Sequence, residues 1–222
     1  MYTWDWQVVW QFREAFLYGL LETCWLSLLA IFLGTSLGGV LVFARKSQNP
    51  ILRFLSASYV MIFRTIPLLV LLLWIYYVTP LLLGITLSPI ISAALGLLLN
   101  GSAFYAENIR AGLEAVPSSQ RESSLALGMS SLQTTLRVVI PQAVRNMLPN
   151  LLNQYITTIK LTSLASVIGV AELVNRGGSI IASSFRPLEV YTALAGLYLI
   201  IILPLDFFAG RFERTLTGKG RN

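Results

Sequence analysis

Of the chain's 222 residues, 55% are hydrophobic and only 12% are charged, about half the charged share of an ordinary soluble domain. With a mean hydropathy of +0.71, the composition excludes a water-soluble globule of this length, because these charges cannot cover its surface. The formal charge of +6 would suit nucleic acid, but the placement of the charges decides against it, as shown below. The chain has no histidine, which removes imidazole acid–base chemistry and argues against a zinc or other metal site. Cys24 has no second cysteine to pair with. The opening residues, Met1 to Gln7, carry no basic stretch and no small-residue cleavage site, so no removed leader is expected.

A hydrocarbon core about 30 Å thick takes roughly 20 apolar residues of helix. Five segments satisfy this in chain order: 16–43, 52–83, 89–113, 148–170 and 191–208. The first carries Gly34 and Gly38 at a spacing that favours close helix contact, within one subunit or between two. The second is long enough to tilt or protrude, and Pro67 invites a bend or a fresh start that would turn freed carbonyls and Arg64 inward. Ser88-Pro89 reads as a cap and first position of the third helix. The region 171–188, with Gly177-Gly178, reads as a polar outer stretch, and 114–147 is the longest region outside the spans. The whole is an all-α membrane protein with five transmembrane helices in a single domain.

Orientation follows the lysines and arginines. With the N-terminus outside, the cytoplasmic segments hold eleven of the sixteen: Arg45, Lys46, Arg53, Arg110, Arg121, Arg137, Arg145, Arg211, Arg214, Lys219 and Arg221. Arg13, Arg176 and Arg186 lie outside, and Arg64 and Lys160 within spans. The basic character is therefore a topology signal, with the C-terminus cytoplasmic and no nucleic-acid partner. Five spans without an internal repeat make a poor self-contained pathway, so a second subunit is expected to complete it.

The loop 114–147 contains two helix starts in quick succession. Ser119 with Glu122 fits a capping box, as does Ser130 with Gln133. Gly128 fits the left-handed position that ends a helix. The expectation is a short helix, a glycine turn and a second helix leading into the fourth span. Such a helix is a rigid knob whose surface mixes Arg121 and Glu122 with Leu125 and Leu127. It suits either a groove in a soluble partner or the membrane surface.

The spacing of Glu122-Ser123-Ser124, three residues, Gly128, nine residues, then Val138-Val139-Ile140-Pro141 resembles the cytoplasmic-loop signature of ABC importer permeases. Phe63-Arg64-Thr65-Ile66-Pro67-Leu68-Leu69, Tyr105 to Gly112, Asn153-Gln154 with Ile159 to Leu164, and Ile168 to Leu173 resemble motifs of the polar amino-acid permeases. The likeness is nearest to the histidine, glutamine, arginine and glutamate importers. It departs at Leu161, where members often carry aspartate, and at Ser123 and Ser124, which replace alanines.

This resemblance implies a type I importer permease of MetI-like architecture in a bacterial inner membrane. It implies an amino acid moved into the cytoplasm by a subunit that is itself no enzyme. The partners implied are an ATP-binding cassette ATPase dimer, a second permease subunit (identical or paralogous), an extracytoplasmic solute-binding protein docking on 84–88 and 171–188, and membrane lipid. An opine or a sulfur amino acid is the alternative cargo, and a secondary transporter the alternative machine. No phosphate-binding loop is present, since Gly218-Lys219 lacks the preceding strand and following Ser/Thr. ATP and Mg²⁺ are thus expected on the partner, with no cofactor in this chain. The coupling residues implied are Glu122, Ser123, Ser124, Leu125, Gly128 and Pro141.

Charged groups inside spans are costly and mark function by default. Lys160, with Asn153, Thr162 and Ser163, is placed to meet a substrate carboxylate, or else to form a structural ion pair or snorkel. Arg64 either braces the fold or lines the pathway. Asn100, Ser102, Tyr105 and Glu107, two to three residues apart, are read as a stripe facing the pathway or a partner helix. Glu107 and Arg110 form an i,i+3 pair, and Lys160 with Glu107 is one candidate pair for the two charges of an α-amino acid.

Overall fold

The computed structural model describes residues 2–217. The basic positions Lys219 and Arg221, and the Gly218-Lys219 pair, lie outside the described residues. Within them every regular element is helical: α1 (Gln7–Gln11), α2 (Arg13–Arg45), α3 (Pro50–Thr65), α4 (Leu68–Leu73), α5 (Thr79–Leu83), α6 (Pro89–Glu114), α7 (Ser118–Ala126), α8 (Ser131–Thr134), α9 (Ile140–Leu161), α10 (Leu173–Ser184) and α11 (Pro187–Thr217). Three helices are long and apolar enough to cross a membrane, and two bent pairs raise the number to as many as five.

The bent pairs change two of the expected spans. The segment 52–83 is not one rod. It breaks at Ile66-Pro67, where α3 meets the α4–α5 stretch at 103°. Proline has no N–H to give the Phe63 carbonyl. Asn100 Nδ2 supplies that hydrogen bond instead, at 2.9 Å. The second change is at 171–188. Leu173–Ser184 is helical and continues the preceding segment after a 48° bend, with Leu173 and Ile180 buried. A Cβ on Gly177 would stand 2.6 Å from Leu194 Cδ1, so the glycine is kept for contact with α11 and not for a loop. Between α9 and α10 the chain runs as a 3₁₀ helix over Thr162–Ile168.

Prolines also explain two π-helical turns, at Trp74–Val78 and Thr135–Val139. Pro80 and Pro141 follow them by two residues, and a wider turn relieves the clash of the proline ring with the carbonyl four residues back. Helix α6 is the hub of the fold. It packs on α2, α9, α3 and α4. A Cβ on Gly38 would meet the Ala106 N and Ser102 O atoms, each at 3.0 Å, and one on Gly34 would meet Tyr105 Cε2 at 2.8 Å. The Gly34/Gly38 pair therefore serves contact within one subunit.

The N-terminal residues strap the α10–α11 turn. Tyr2 donates its hydroxyl to Glu189, which holds the phenol above its usual value. The Asp5 N–H donates to Glu189 Oε1 at 2.8 Å, and Arg186 donates to the Thr3 carbonyl at 2.8 Å. Ser88 caps α6 as expected, accepting from the Ile91 N–H.

Candidate functional site

The segment after α6 builds a projecting knob. α7 ends in a turn whose two bonds close it fully: Met129 N–H donates to the Ser124 carbonyl at 3.2 Å, and Gly128 N–H to that of Leu125 at 3.0 Å. This pattern needs a left-handed residue, and Gly128 has φ of 80°. Ser130 and Gln133 form the expected reciprocal capping box. The Ser119–Glu122 box does not form. α7 is capped two residues earlier, at Pro117, with no side-chain cap hydrogen bond, which leaves Ser119 inside the first turn.

From α8 the helix runs through the π turn into α9 without a gap. Of the six expected coupling residues, Glu122, Ser123, Leu125, Gly128 and Pro141 are exposed, while Ser124 is buried and donates back to the Gln120 carbonyl. Leu127, Leu132 and Leu136 are also exposed beside them. Gln142 donates to the Gln120 side chain and ties the knob to the start of α9.

α9 carries a second feature. Asn146, Asn150, Asn153, Thr157 and Lys160 are all exposed. Their spacing of four, three, four and three puts them on one helical face about 21 Å long. Lys160 has no ion pair, and the three asparagine side chains have no hydrogen-bond partner, among the described residues. Thr162 and Ser163 follow in the 3₁₀ segment, where Thr162 is buried and both hydroxyls donate to carbonyls three residues back. Beyond the break, the fully buried Glu172 caps α10, accepting from the Val174 and Asn175 N–H groups at 3.0 and 2.8 Å.

The polar residues of α6 are placed differently. Asn100, Ser102 and Tyr105 are buried inside the subunit. Asn100 satisfies Phe63, Ser102 shares a hydrogen bond with the Tyr59 hydroxyl at 2.8 Å, and Tyr105 shares one with Thr158 at 2.7 Å. Glu107 lies among three guanidinium groups: Arg110, Arg45 at 3.4 Å and Arg64 at 3.5 Å. Arg64 also lies over the Phe104 ring, 5.5 Å from its centre. The structure thus gathers Arg64 and Glu107 in one cluster and Asn153 and Lys160 on another face. No bond joins Lys160 to Glu107 among the described residues.

Residues 19–218 match the family of binding-protein-dependent transport system inner membrane components. The chain belongs to this family. It is 37% identical over 213 residues to the glutamine transport system permease protein GlnP of Escherichia coli K12, covering 96% of this chain and 97% of that one. It is 32% identical to the probable amino-acid permease protein YxeN of Bacillus subtilis, covering 98% of each. Among solved structures it is similar to an amino acid ABC transporter crystallised with histidines, at TM-score 0.90 and 32% identity, covering 96% of this chain and all of that one. The MetNI methionine transporter shares the fold at TM-score 0.74 and 22% identity.

As an inner-membrane permease, the chain holds its polar residues of interest in two classes, those satisfied inside the subunit and those left open on α9. Asn146, Asn150 and Thr157 were not singled out from the sequence. Their helical period beside Asn153 and Lys160 was the signal that would have found them.

Proposed function

We propose that this chain is the permease subunit of an ATP-driven amino-acid importer. It crosses the membrane five times, with the N-terminus outside and the C-terminus in the cytoplasm. The broken segments α3–α5 and α9–α10 each count as one crossing. The observation that carries this reading is the open polar face of α9. Five polar side chains on a membrane helix are costly against lipid, and they become useful when a second permease subunit faces them across a shared aqueous path. Lys160, where that face meets the 3₁₀ break, offers a cation to a substrate carboxylate, with Ser163 next to it and Asn153 two helical turns away on the same face. The likeness to glutamine and other amino-acid permeases supports an amino acid as cargo, and glutamine is the first to try.

The exposed knob of α7 and the Gly128 turn suits a groove in a separate ATPase dimer, which holds ATP and Mg²⁺. Its continuity through α8 into α9 gives a stiff route from that contact to the α9 face. Asn100, Ser102 and Tyr105 brace the subunit, and Glu107 neutralises arginines. An extracytoplasmic binding protein delivers the solute at the opposite end of the bundle.

The test is reconstitution of the permease with its ATPase and binding protein in liposomes, with ATP hydrolysis followed as candidate solutes are added. Stimulation by an amino acid, with uptake that stops when ATP is withheld, is the expected result. Uptake driven by an ion gradient without ATP would overturn the reading, and stimulation only by other solutes would overturn the cargo.

A further inference from the structure

We infer that the cleft between α2, α3 and α6 is a binding site for an anionic phospholipid. The cleft comprises two adjoining cavities of about 630 and 270 Å³ that share Arg45 as a wall. Arg64 and Glu107 line the larger, and Lys46, Arg53, Arg110 and Glu114 line the smaller. Five cations thus face two carboxylates, an excess of three positive charges.

The carboxylates do not use up these cations. Arg110 spans both Glu107 and Glu114, so each acid already has a close partner and only one further cation is needed to balance the pair. Arg45 and Arg64 reach the same Glu107 oxygen through one nitrogen apiece, at 3.4 and 3.5 Å. Their remaining donors have no partner among the described residues and can take a second anion. Arg53 and Lys46 have no ion pair among the described residues, and Arg110 Nε is buried without a hydrogen-bond partner. Guanidinium groups gathered in this way match the paired oxygens of a phosphate.

The walls identify the source of the phosphate. The larger cavity runs along α3 between Phe54 and Met61, with Ala57 and Ser58 between them. Phe54 and Met61 are 70% and 66% exposed. Small residues flanked by large apolar ones form a shallow channel for an acyl chain, while the arginines stand at its edge for the head group. A soluble phosphate would use only the second half of this arrangement. Basic pockets between membrane helices hold lipid head groups in this manner. Assignment to the cytoplasmic leaflet rests on the orientation proposed above; the lipid contact itself does not.

The test is native mass spectrometry of the permease, purified with its ATPase and titrated with phosphatidylglycerol or phosphatidylcholine. Phosphatidylglycerol should be retained and phosphatidylcholine lost. Lys46→Gln with Arg53→Gln should weaken phosphatidylglycerol retention about 25-fold, at roughly fivefold per charge. Arg211→Gln, a cation outside the cleft, should leave it unchanged. If the double variant unfolds, Arg53→Gln alone carries the test. Equal retention of the two lipids, equal loss with Arg211→Gln, or displacement by inorganic phosphate would each overturn the assignment. So would a photo-crosslinking residue at Phe54 that captures a protein neighbour instead of lipid. The measurement needs neither solute nor binding protein, so an error about the cargo leaves it intact.

Discussion

Helices α6 and α9 each carry several polar residues inside apolar surroundings, yet they use them in opposite ways. On α6, Asn100, Ser102 and Tyr105 are each buried and each paired with a neighbouring helix. On α9, Asn146, Asn150, Asn153 and Lys160 are exposed and have no side-chain partner among the described residues. A buried polar group without a partner costs stability, so the α6 groups are held by the fold. The α9 groups gain nothing from the fold and therefore point beyond it, to a solute or a second subunit. Polar residues in a span mark function only after their partners have been counted.

Substitutions can break this comparison. The largest effect is expected where α2 presses on α6. Gly38→Leu has no room against backbone atoms 3.0 Å away and should cost about 3 kcal/mol, read as a fall in the unfolding temperature of the purified protein. Asn100→Leu should cost about 2 kcal/mol by leaving the Phe63 carbonyl unpaired beside Pro67; unchanged unfolding would show that the bond does not brace the bend.

Gly128→Val forces a β-branched residue to a φ of 80°, at roughly 1–2 kcal/mol. Here the readout is coupling: solute-stimulated ATPase activity should collapse, while the unfolding temperature falls by no more than it does for Asn100→Leu. The smallest effect on stability belongs to Lys160→Met, within about 0.5 kcal/mol. Uptake should nevertheless fall about tenfold, equivalent to roughly 1.4 kcal/mol on the transport barrier. If Lys160→Met destabilised the protein as much as Asn100→Leu, the division between the two helices would fail.

Local chemistry was legible where a few adjacent residues decide it. The Gly128 stop, the Ser130–Gln133 box, the Ser88 cap and the Glu107–Arg110 pair all follow from residues within one turn of each other, and all are present. The Ser119–Glu122 box failed because a competing start, two residues earlier, was available at Pro117. Region 171–188 was misread for a different reason. Gly177-Gly178 argues against helix locally, each glycine costing about 1 kcal/mol, but contact with Leu194 on a distant helix outweighs that cost.

The sequence by itself determined that the chain lives in a membrane, that it is helical, and that a capped knob interrupts its spans. These depend on composition and on neighbours a few positions apart. Only the tertiary structure decided which way Pro67 bends the chain, that Leu173–Ser184 is helix, and which polar groups find partners. The pairs that settle those points, Asn100 with Phe63, Tyr105 with Thr158 and Gly177 with Leu194, lie between 17 and 53 positions apart. Nothing in a short window of sequence records the helix packing that brings them together.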